Sequence, residues 1–271
     1  MGDGLQKKLG IIAGDGRFPV ILVKAAKVSG YSTIAIAHTG LSSLDIEKAA
    51  EKTYWIHIGE ISKLINIFKK EEVSEVVMAG GISKKFLFSD VKPDLRAISL
   101  LLKIKDRNDD TILRALAKEL EKEGIITNEA IAYIRSILAE NGTFTKRTPT
   151  KEEWSDIEFG MKVAKDIGRL DIGQCVVVKN RAVLAVEAIE GTDEVIRRGG
   201  MFASGGAVVI KVCKPGQDTR FDLPTVGPNT INSMKEVDAR VLAVEAGMTV
   251  MIDREFMIEE ANRAGISIVG I

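Results

Sequence analysis

Residues 9–26 read LGIIAGDGRFPVILVKAA, and this stretch decides the fold. Leu9 to Ala13 is an apolar run of strand length. It stops at Gly14-Asp15-Gly16, a turn. Pro19 then stands where the first turn of a helix accepts proline, and Val20 to Ser29 continues as helix until Gly30 stops it. Strand, glycine turn and helix make half of a βαβ unit. The rhythm recurs outward from there. Tyr31 to Ala37 reads as a strand. Thr53 to Ile58 is another, followed by Gly59-Glu60 and a helix from Ile61 to Lys70. Val73 to Ala79 is a fourth, closed by Gly80-Gly81. Such alternation predicts a parallel sheet with helices on both faces, a Rossmann-like α/β domain.

Further along, Asp109 or Asp110 caps a helix over Thr111 to Lys122, and Asn128 caps one over Glu129 to Leu138. Asn141 to Thr150 holds Gly, Pro and threonines without apolar periodicity, so residues 141–152 read as a linker between domains 1–140 and 153–271. The second domain has another texture. A helix runs from Trp154 to Ile167. Gln174 to Val178 and Ala182 to Val186 flank Lys179-Asn180-Arg181 as a hairpin. Thr192 to Arg198 suits a helix ended by Gly199-Gly200. Ala207 to Val212, Val241 to Val244, Thr249 to Ile252 and Ile266 to Val269 are strands, and Asp253 to Ala264 is a helix ended by Gly265. The expected fold class is α/β: a Rossmann-like parallel-sheet domain followed by a smaller, mixed α/β domain.

Composition removes several functional classes. The 271 residues carry 38 basic and 38 acidic side chains, without the basic excess that drives nucleic-acid binding. Cys175 and Cys213 lie in apolar runs without a CxxC partner, which suits buried thiols in a reducing compartment. Two Cys and two His are too few for a structural zinc site. The first residues lack the basic and apolar regions of a secretory signal, and no apolar run approaches the ~20 residues of a membrane span. A cytoplasmic location is expected, with surface contact with a membrane left open.

Three segments carry candidate chemistry. Gly14-Asp15-Gly16 and Gly80-Gly81 fall at the carboxyl ends of parallel strands, where open α/β sheets bind nucleotides. The plainer reading is a pair of tight βα turns. Neither GxGxxG nor GxxxxGK[ST] is present, which disfavours dinucleotide-dependent oxidoreduction and P-loop ATP hydrolysis. Residues 211–227, KVCKPGQDTRFDLPTVG, gather Lys211, Lys214 and Arg220, the carboxylates Asp218 and Asp222, and Gln217 on a backbone stiffened by Pro215 and Pro224. Charges of both signs there suit a phosphate-handling site, with the cations on phosphate oxygens and the carboxylates on Mg²⁺ or a water. A solvated loop closed by its own ion pairs is the alternative. Gly191-Thr192, within EGTDEVIRRGG at 190–200, opens a helix whose start favours an anion, or Thr192 is a simple N-cap. His38 follows the second strand and lines the crevice or only its turn. His57, in an alternating strand, reads as structural.

The blocks LGIIAGDGRFPVILVKAA, GGISK, EGTDEVIRRGG and above all KPGQDTRFDLPTVGPNTI resemble the LpxI-type UDP-2,3-diacylglucosamine pyrophosphatases over essentially the whole chain. The resemblance implies hydrolysis of UDP-2,3-diacylglucosamine to 2,3-diacylglucosamine 1-phosphate (lipid X) and UMP in lipid A synthesis. It implies water attack at the α-phosphorus and a divalent cation, usually Mg²⁺, with Asp222 and Asp218 as metal ligands. Asp222, Asp218, Lys214 and Arg220 are the expected catalytic set, Asp222 preferred as the essential acid. Gly14, Asp15, Gly16, Phe18, Gly80 and Gly81 are expected to hold the uridine nucleotide. Gly191, Thr192, Lys211, Gln217 and Thr225 are expected on the acyl-sugar phosphate, with a flexible linker permitting closure. A homodimer is compatible with the family. Lys7-Lys8 and Lys84-Lys85-Phe86-Leu87-Phe88 are the segments that contact anionic lipid if the membrane is touched. A non-catalytic nucleotide-sugar or lipid-binding protein is the rival reading.

Overall fold

Strand β1, Lys8–Ala13, is buried along nearly its whole length, which is why it reads as a continuous apolar run rather than an alternating one. It was placed by a computed structural model that describes residues 7–81, 92–104, 109–221 and 223–271. The Lys84-Lys85-Phe86-Leu87-Phe88 segment and Asp222 lie outside the described residues. The chain forms two compact units. The first comprises residues up to Ile134 and the described residues 218–221; the second comprises Arg135–Gln217 and Leu223–Ile271.

In the first unit β1 is central. Helix α1 (Phe18–Val28) follows it with Pro19 in its first turn, as the sequence demands. Then come β2 (Ser32–His38), α2 (Asp45–Ala49), β3 (Lys52–Ile56), α3 (Ile61–Lys70) and β4 (Glu75–Ala79). Helices α4 (Leu95–Lys103) and α5 (Asp109–Glu121) precede the short β5 (Ile126–Thr127). All strands are parallel in the order β3-β2-β1-β4-β5. Alternation across the pleat divides the core. Ile12, Ile34, Ile36, Val76 and Met78 meet Leu64, Ile65 and Phe68 of α3 and Leu120 of α5. Helix α1 covers the opposite face. Strand order reverses between β1 and β4, so the crevice of such a sheet opens at their carboxyl ends.

The second unit begins with β6 (Gly142–Thr143) and α6 (Lys151–Arg169), whose start is fixed by a Thr150–Glu153 capping box. Strands β7 (Cys175–Lys179) and β8 (Ala182–Val186) form the expected hairpin. Helix α7 (Thr192–Ala203), β9 (Val208–Lys211), β10 (Thr225–Val226), α8 (Pro228–Glu236), β11 (Val241–Val244), β12 (Val250–Met251), α9 (Arg254–Ala264) and β13 (Ser267–Gly270) complete it. The main sheet is mixed, in the order β6-β13-β11-β9-β7-β8, while β10 pairs with β12. Val176, Val178, Val208 and Ile210 turn toward Ile157 and Ala164 of α6. Cys175, Val177, Val209 and Leu242 turn toward α7, α8 and α9 through Val195, Ile196, Met234 and Met257.

Three expectations need correction. Gly199-Gly200 do not end α7, which runs on to Ala203. A side chain at Gly199 would stand 2.5 Å from Val177 Cβ, and one at Gly200 would overlap Val237, so these glycines serve close approach inside the helix. Glu129 to Leu138 is not a helix; it holds two 3₁₀ turns, Ala130–Ala132 and Arg135–Ile137. Asn128 spends its side-chain amide on Glu75 Oε2 (3.0 Å) and Tyr133 Oη (3.1 Å) instead of capping. Residues 141–152 are not a free connection. β6 pairs antiparallel with β13, Ile268 N donates to Thr145 Oγ1 (3.0 Å), and Arg147 donates to Ser267 Oγ (2.8 Å) and Glu153 Oε1 (2.6 Å). Polar residues there satisfy a sheet edge, a role composition alone does not distinguish from a linker.

Candidate active site

At the carboxyl end of β1 the two glycine turns hold each other. Gly14 N donates to Ala79 O (2.7 Å) and Asp15 N to Gly81 O (2.8 Å). Gly80 has φ +86°, and a Cβ on it would overlap the Asp15 carbonyl. A Cβ on Gly14 would lie 2.5 Å from Gly81 O. Backbone contact therefore accounts for Gly14 and Gly80 without a ligand. No described atom lies within 4 Å of a Cβ built on Gly16 or Gly81, although Gly16 has φ +86°. Asp15 is exposed, and its Oδ1 accepts from Gly16 N (2.7 Å); Phe18 is half-buried at the start of α1.

His38 closes this rim. It is buried, and its Nδ1 lies 2.9 Å from Ala13 O, which also accepts from Ser42 Oγ at 2.7 Å. Burial holds the imidazole pKa below its ordinary value, opposed by the Ala13 hydrogen bond. The ring is thus neutral near pH 7 with the proton on Nδ1, the tautomer the carbonyl requires.

The expected catalytic loop divides. Asp218 and Arg220 belong to the first unit, where Phe221 enters the core beside Ile12 and Met78. Asp218 Oδ1 accepts from Arg220 Nε (2.9 Å), and Oδ2 from Arg220 Nη2 (2.8 Å) and Arg114 Nη1 (2.9 Å). Bonds from Arg220 hold the Asp218 carboxyl below its ordinary range against the opposing effect of burial, and Arg114 adds to the lowering. Arg220 also lies 5.0 Å from the Phe221 ring centroid.

Both Asp218 oxygens are therefore engaged by guanidinium groups, a poor donor set for a divalent cation. Among the described residues no group of three or more His, Cys, Asp or Glu could hold a metal ion. Asp218 is thus committed to Arg220 and Arg114, and Asp222, the other expected ligand, lies outside the described residues.

In the second unit, β9 delivers Lys211 beneath the start of α7. Lys211 is 6% exposed and donates to Thr192 Oγ1 (2.9 Å) and Thr225 O (2.7 Å). Thr192 in turn donates to Glu187 Oε1 (2.8 Å), and Gln174 N donates to Glu187 Oε2 (3.1 Å). Glu187 is also 6% exposed. An ammonium in an apolar sheet is costly unless paired, and the Thr192–Glu187 chain supplies the pairing. Gly191, φ +87°, has no described atom within 4 Å of a Cβ built on it. Two acceptors occupy two of the three ammonium protons. Among the described residues one ammonium proton is left near the start of α7, where first-turn N–H groups favour an anion and Asp193 and Glu194 oppose one.

Gln217 braces the loop itself, and the Lys214 side chain reaches outside it. Lys214 Nζ pairs with Asp171 (2.7 Å), and Gln217 Oε1 accepts from Lys214 N (3.1 Å). Glu245 anchors the loop's root by accepting from Lys165 Nζ (2.6 Å) and Cys213 N (2.8 Å). Thus Gly191, Thr192, Lys211 and Thr225 meet at one place, whereas Lys214 turns to Asp171. Glu187 was absent from the expected set. Its signal was a carboxylate ending an apolar strand, five residues before Thr192. Cys175 is fully buried and its thiol pKa is pushed up, which makes it an inert core residue.

Comparison with known proteins agrees with the motif reading. The LpxI N-terminal domain matches residues 8–137, and the LpxI C-terminal domain residues 140–269. UDP-2,3-diacylglucosamine pyrophosphatase LpxI of Caulobacter vibrioides is 34% identical over 279 residues, spanning 98% of both chains. Solved structures align weakly. The glycinamide-RNase-transformylase T of Mycobacterium tuberculosis shares 11% identity over 68% of this chain and 44% of its own, TM-score 0.26. A biotin carboxylase subunit of pyruvate carboxylase shares 14% over 68% and 36%, TM-score 0.27. This chain spans less than half of either, and such scores carry no argument. The full-length match of both family domains does: the chain belongs to the LpxI family.

Proposed function

We propose that this chain hydrolyses UDP-2,3-diacylglucosamine to 2,3-diacylglucosamine 1-phosphate and UMP, a step of lipid A synthesis. Water adds to the α-phosphorus, the bond from that phosphorus to the bridging oxygen breaks, and the sugar 1-phosphate leaves. The observation that carries the proposal is the buried Lys211 ammonium beneath the α7 start, held by Thr192 and Thr225 with one proton left over. A fixed cation with a helix dipole behind it suits a phosphate oxygen that gains charge during P–O cleavage. Kinship to the Caulobacter enzyme supplies the substrate class.

The rim at Gly16, Phe18 and Gly81 is assigned to the uridine nucleotide. Asp222 is assigned as the acidic group of the reaction, with Arg220 oriented by Asp218. A Mg²⁺ requirement belongs to the same proposal, with Asp222 and the substrate's own diphosphate oxygens as donors. EDTA dialysis that leaves turnover unchanged removes it. Contact with anionic membrane and a homodimer are further parts, checked by vesicle flotation and by sedimentation. Among the described residues no helix is long and apolar enough to cross a membrane.

The test is UMP release from UDP-2,3-diacylglucosamine by wild type, Lys211→Met and Asp222→Ala. Wild-type turnover and a fall of about 10²-fold or more in each variant are expected. Substrate retention without product by the wild type would favour a binding protein instead.

A further inference from the structure

Lys211, Thr192 and Glu187 form a line of hydrogen bonds with a fixed direction. Thr192 has one hydroxyl proton, and it is spent on Glu187 Oε1 at 2.8 Å. The Thr192 oxygen then faces Lys211 Nζ as an acceptor at 2.9 Å. So the Thr192 hydroxyl has no proton for a phosphate. The sequence places Thr192 on the anion; the geometry places it behind the cation that meets the anion.

From this direction we infer that Glu187 is a positioning residue: through Thr192 it orients the Lys211 ammonium so that its third N–H points to the substrate's phosphate. The inference rests on the function proposed above and names a residue that function did not include. Glu187 is well placed for the role. Gln174 N fixes its second oxygen at 3.1 Å, and Glu187 N donates to Cys175 O at 2.9 Å, so its carboxylate is tied to the buried β7 edge. Thr225 O holds the ammonium from the other side at 2.7 Å. Two fixed acceptors leave the third proton one direction. The start of α7 next to Thr192 has room among the described residues, with no described atom within 4 Å of a Cβ built on Gly191. Glu187 also offsets the Lys211 charge in the resting site, which reserves part of the electrostatic gain for charge that develops in the reaction.

The experiment compares Glu187→Ala, Glu187→Gln, Thr192→Val and Thr192→Ser with wild type in steady-state turnover, with melting temperatures alongside. Glu187→Ala and Thr192→Val are expected to lower kcat about tenfold or more while KM moves less than about threefold, because a misdirected donor is lost mainly in the transition state. Glu187→Gln keeps an acceptor for Thr192, and Thr192→Ser keeps the hydroxyl; both are expected to recover most of kcat. The Glu187→Ala/Thr192→Val pair is expected to lose no more than the worse single variant, as members of one chain do. Full kcat in folded Glu187→Ala, no recovery in the conservative variants, or additive losses overturns the inference.

A second readout is independent of turnover. Inorganic pyrophosphate is expected to raise the wild-type melting temperature and to raise that of Glu187→Ala or Thr192→Val distinctly less. Equal shifts, or no shift in the wild type, overturn the inference. A wild type that responds to pyrophosphate but releases no UMP overturns the proposed reaction and leaves the positioning role standing. Should Glu187→Ala fail to fold, the two Thr192 variants decide by the same criteria.

Discussion

Asp218 and Arg220 form a two-pronged ion pair two residues apart, Nε to Oδ1 at 2.9 Å and Nη2 to Oδ2 at 2.8 Å, and Arg220 N adds a third bond at 3.2 Å. The pair folds the loop on itself and presents Phe221 to the first unit's core. Asp218 thus acts by holding Arg220. Asp218→Asn is expected to destabilise the protein by about 2 kcal/mol at pH 7, since a half-buried guanidinium loses its counter-charge. The folded-state pKa of Asp218 is lowered, so its contribution is present above the unfolded value and lost as pH falls through the folded one. The gap between wild type and Asp218→Asn is therefore expected to close as pH falls below the ordinary value of 3.8. Urea unfolding at pH 7 and in a descending acid series checks this; a gap that persists unchanged contradicts it.

His38 gives a second pH dependence of known sign. Burial lowers its folded-state pKa, so the unfolded chain takes up a proton first on acidification. Stability from this residue is whole above the ordinary value of 6.5 and declines as pH falls below it toward the folded pKa. In His38→Gln that slope is expected to flatten between pH 7.5 and 5.5. Unfolding midpoints across that range measure it, and equal slopes in both proteins contradict the burial argument.

The glycine turns separate architecture from ligand approach. Gly80→Ala meets both a φ of +86° and the Asp15 carbonyl, so a loss of about 2–4 kcal/mol is expected. Gly81→Ala meets no described atom within 4 Å. It is expected to keep the melting temperature of the wild type while raising KM for the nucleotide substrate, because the added methyl stands where a ligand approaches. Unaltered KM in Gly81→Ala removes that residue from the nucleotide site.

Inside α7, Gly199→Ala would push against Val177 Cβ at 2.5 Å. Despite alanine's better helix propensity, a net loss of about 1–3 kcal/mol is expected from overpacking. Thermal unfolding decides: stabilisation would mean that propensity outweighs the contact.

Much of the fold was legible because its signals are local. A buried parallel strand is an apolar run, and glycine closes it where the chain must turn, as at Ala13-Gly14 and Ala79-Gly80. What stayed hidden depends on distant partners. Gly199-Gly200 resembles a helix stop until Val177 and Val237 are seen against it. Thr145 and Arg147 look like linker residues until β13 lies beside them. Helices α2, α4 and α8 went unread, each being nine residues or fewer. The same divide runs through the site. Lys211 was visible as a cation of the 211–227 segment and Thr192 as a residue at a helix start. Glu187 was not, because its value comes from a lysine on another strand, and Arg114 reaches Asp218 from far earlier in the chain.

The central claim is that water attacks the α-phosphorus of a UDP-linked acyl sugar. Hydrolysis of UDP-2,3-diacylglucosamine in ¹⁸O-enriched water, with mass spectrometry of both products, tests it most directly. The account predicts one ¹⁸O in UMP and none in the sugar 1-phosphate. Label in the sugar 1-phosphate, or no UMP at all, would contradict it.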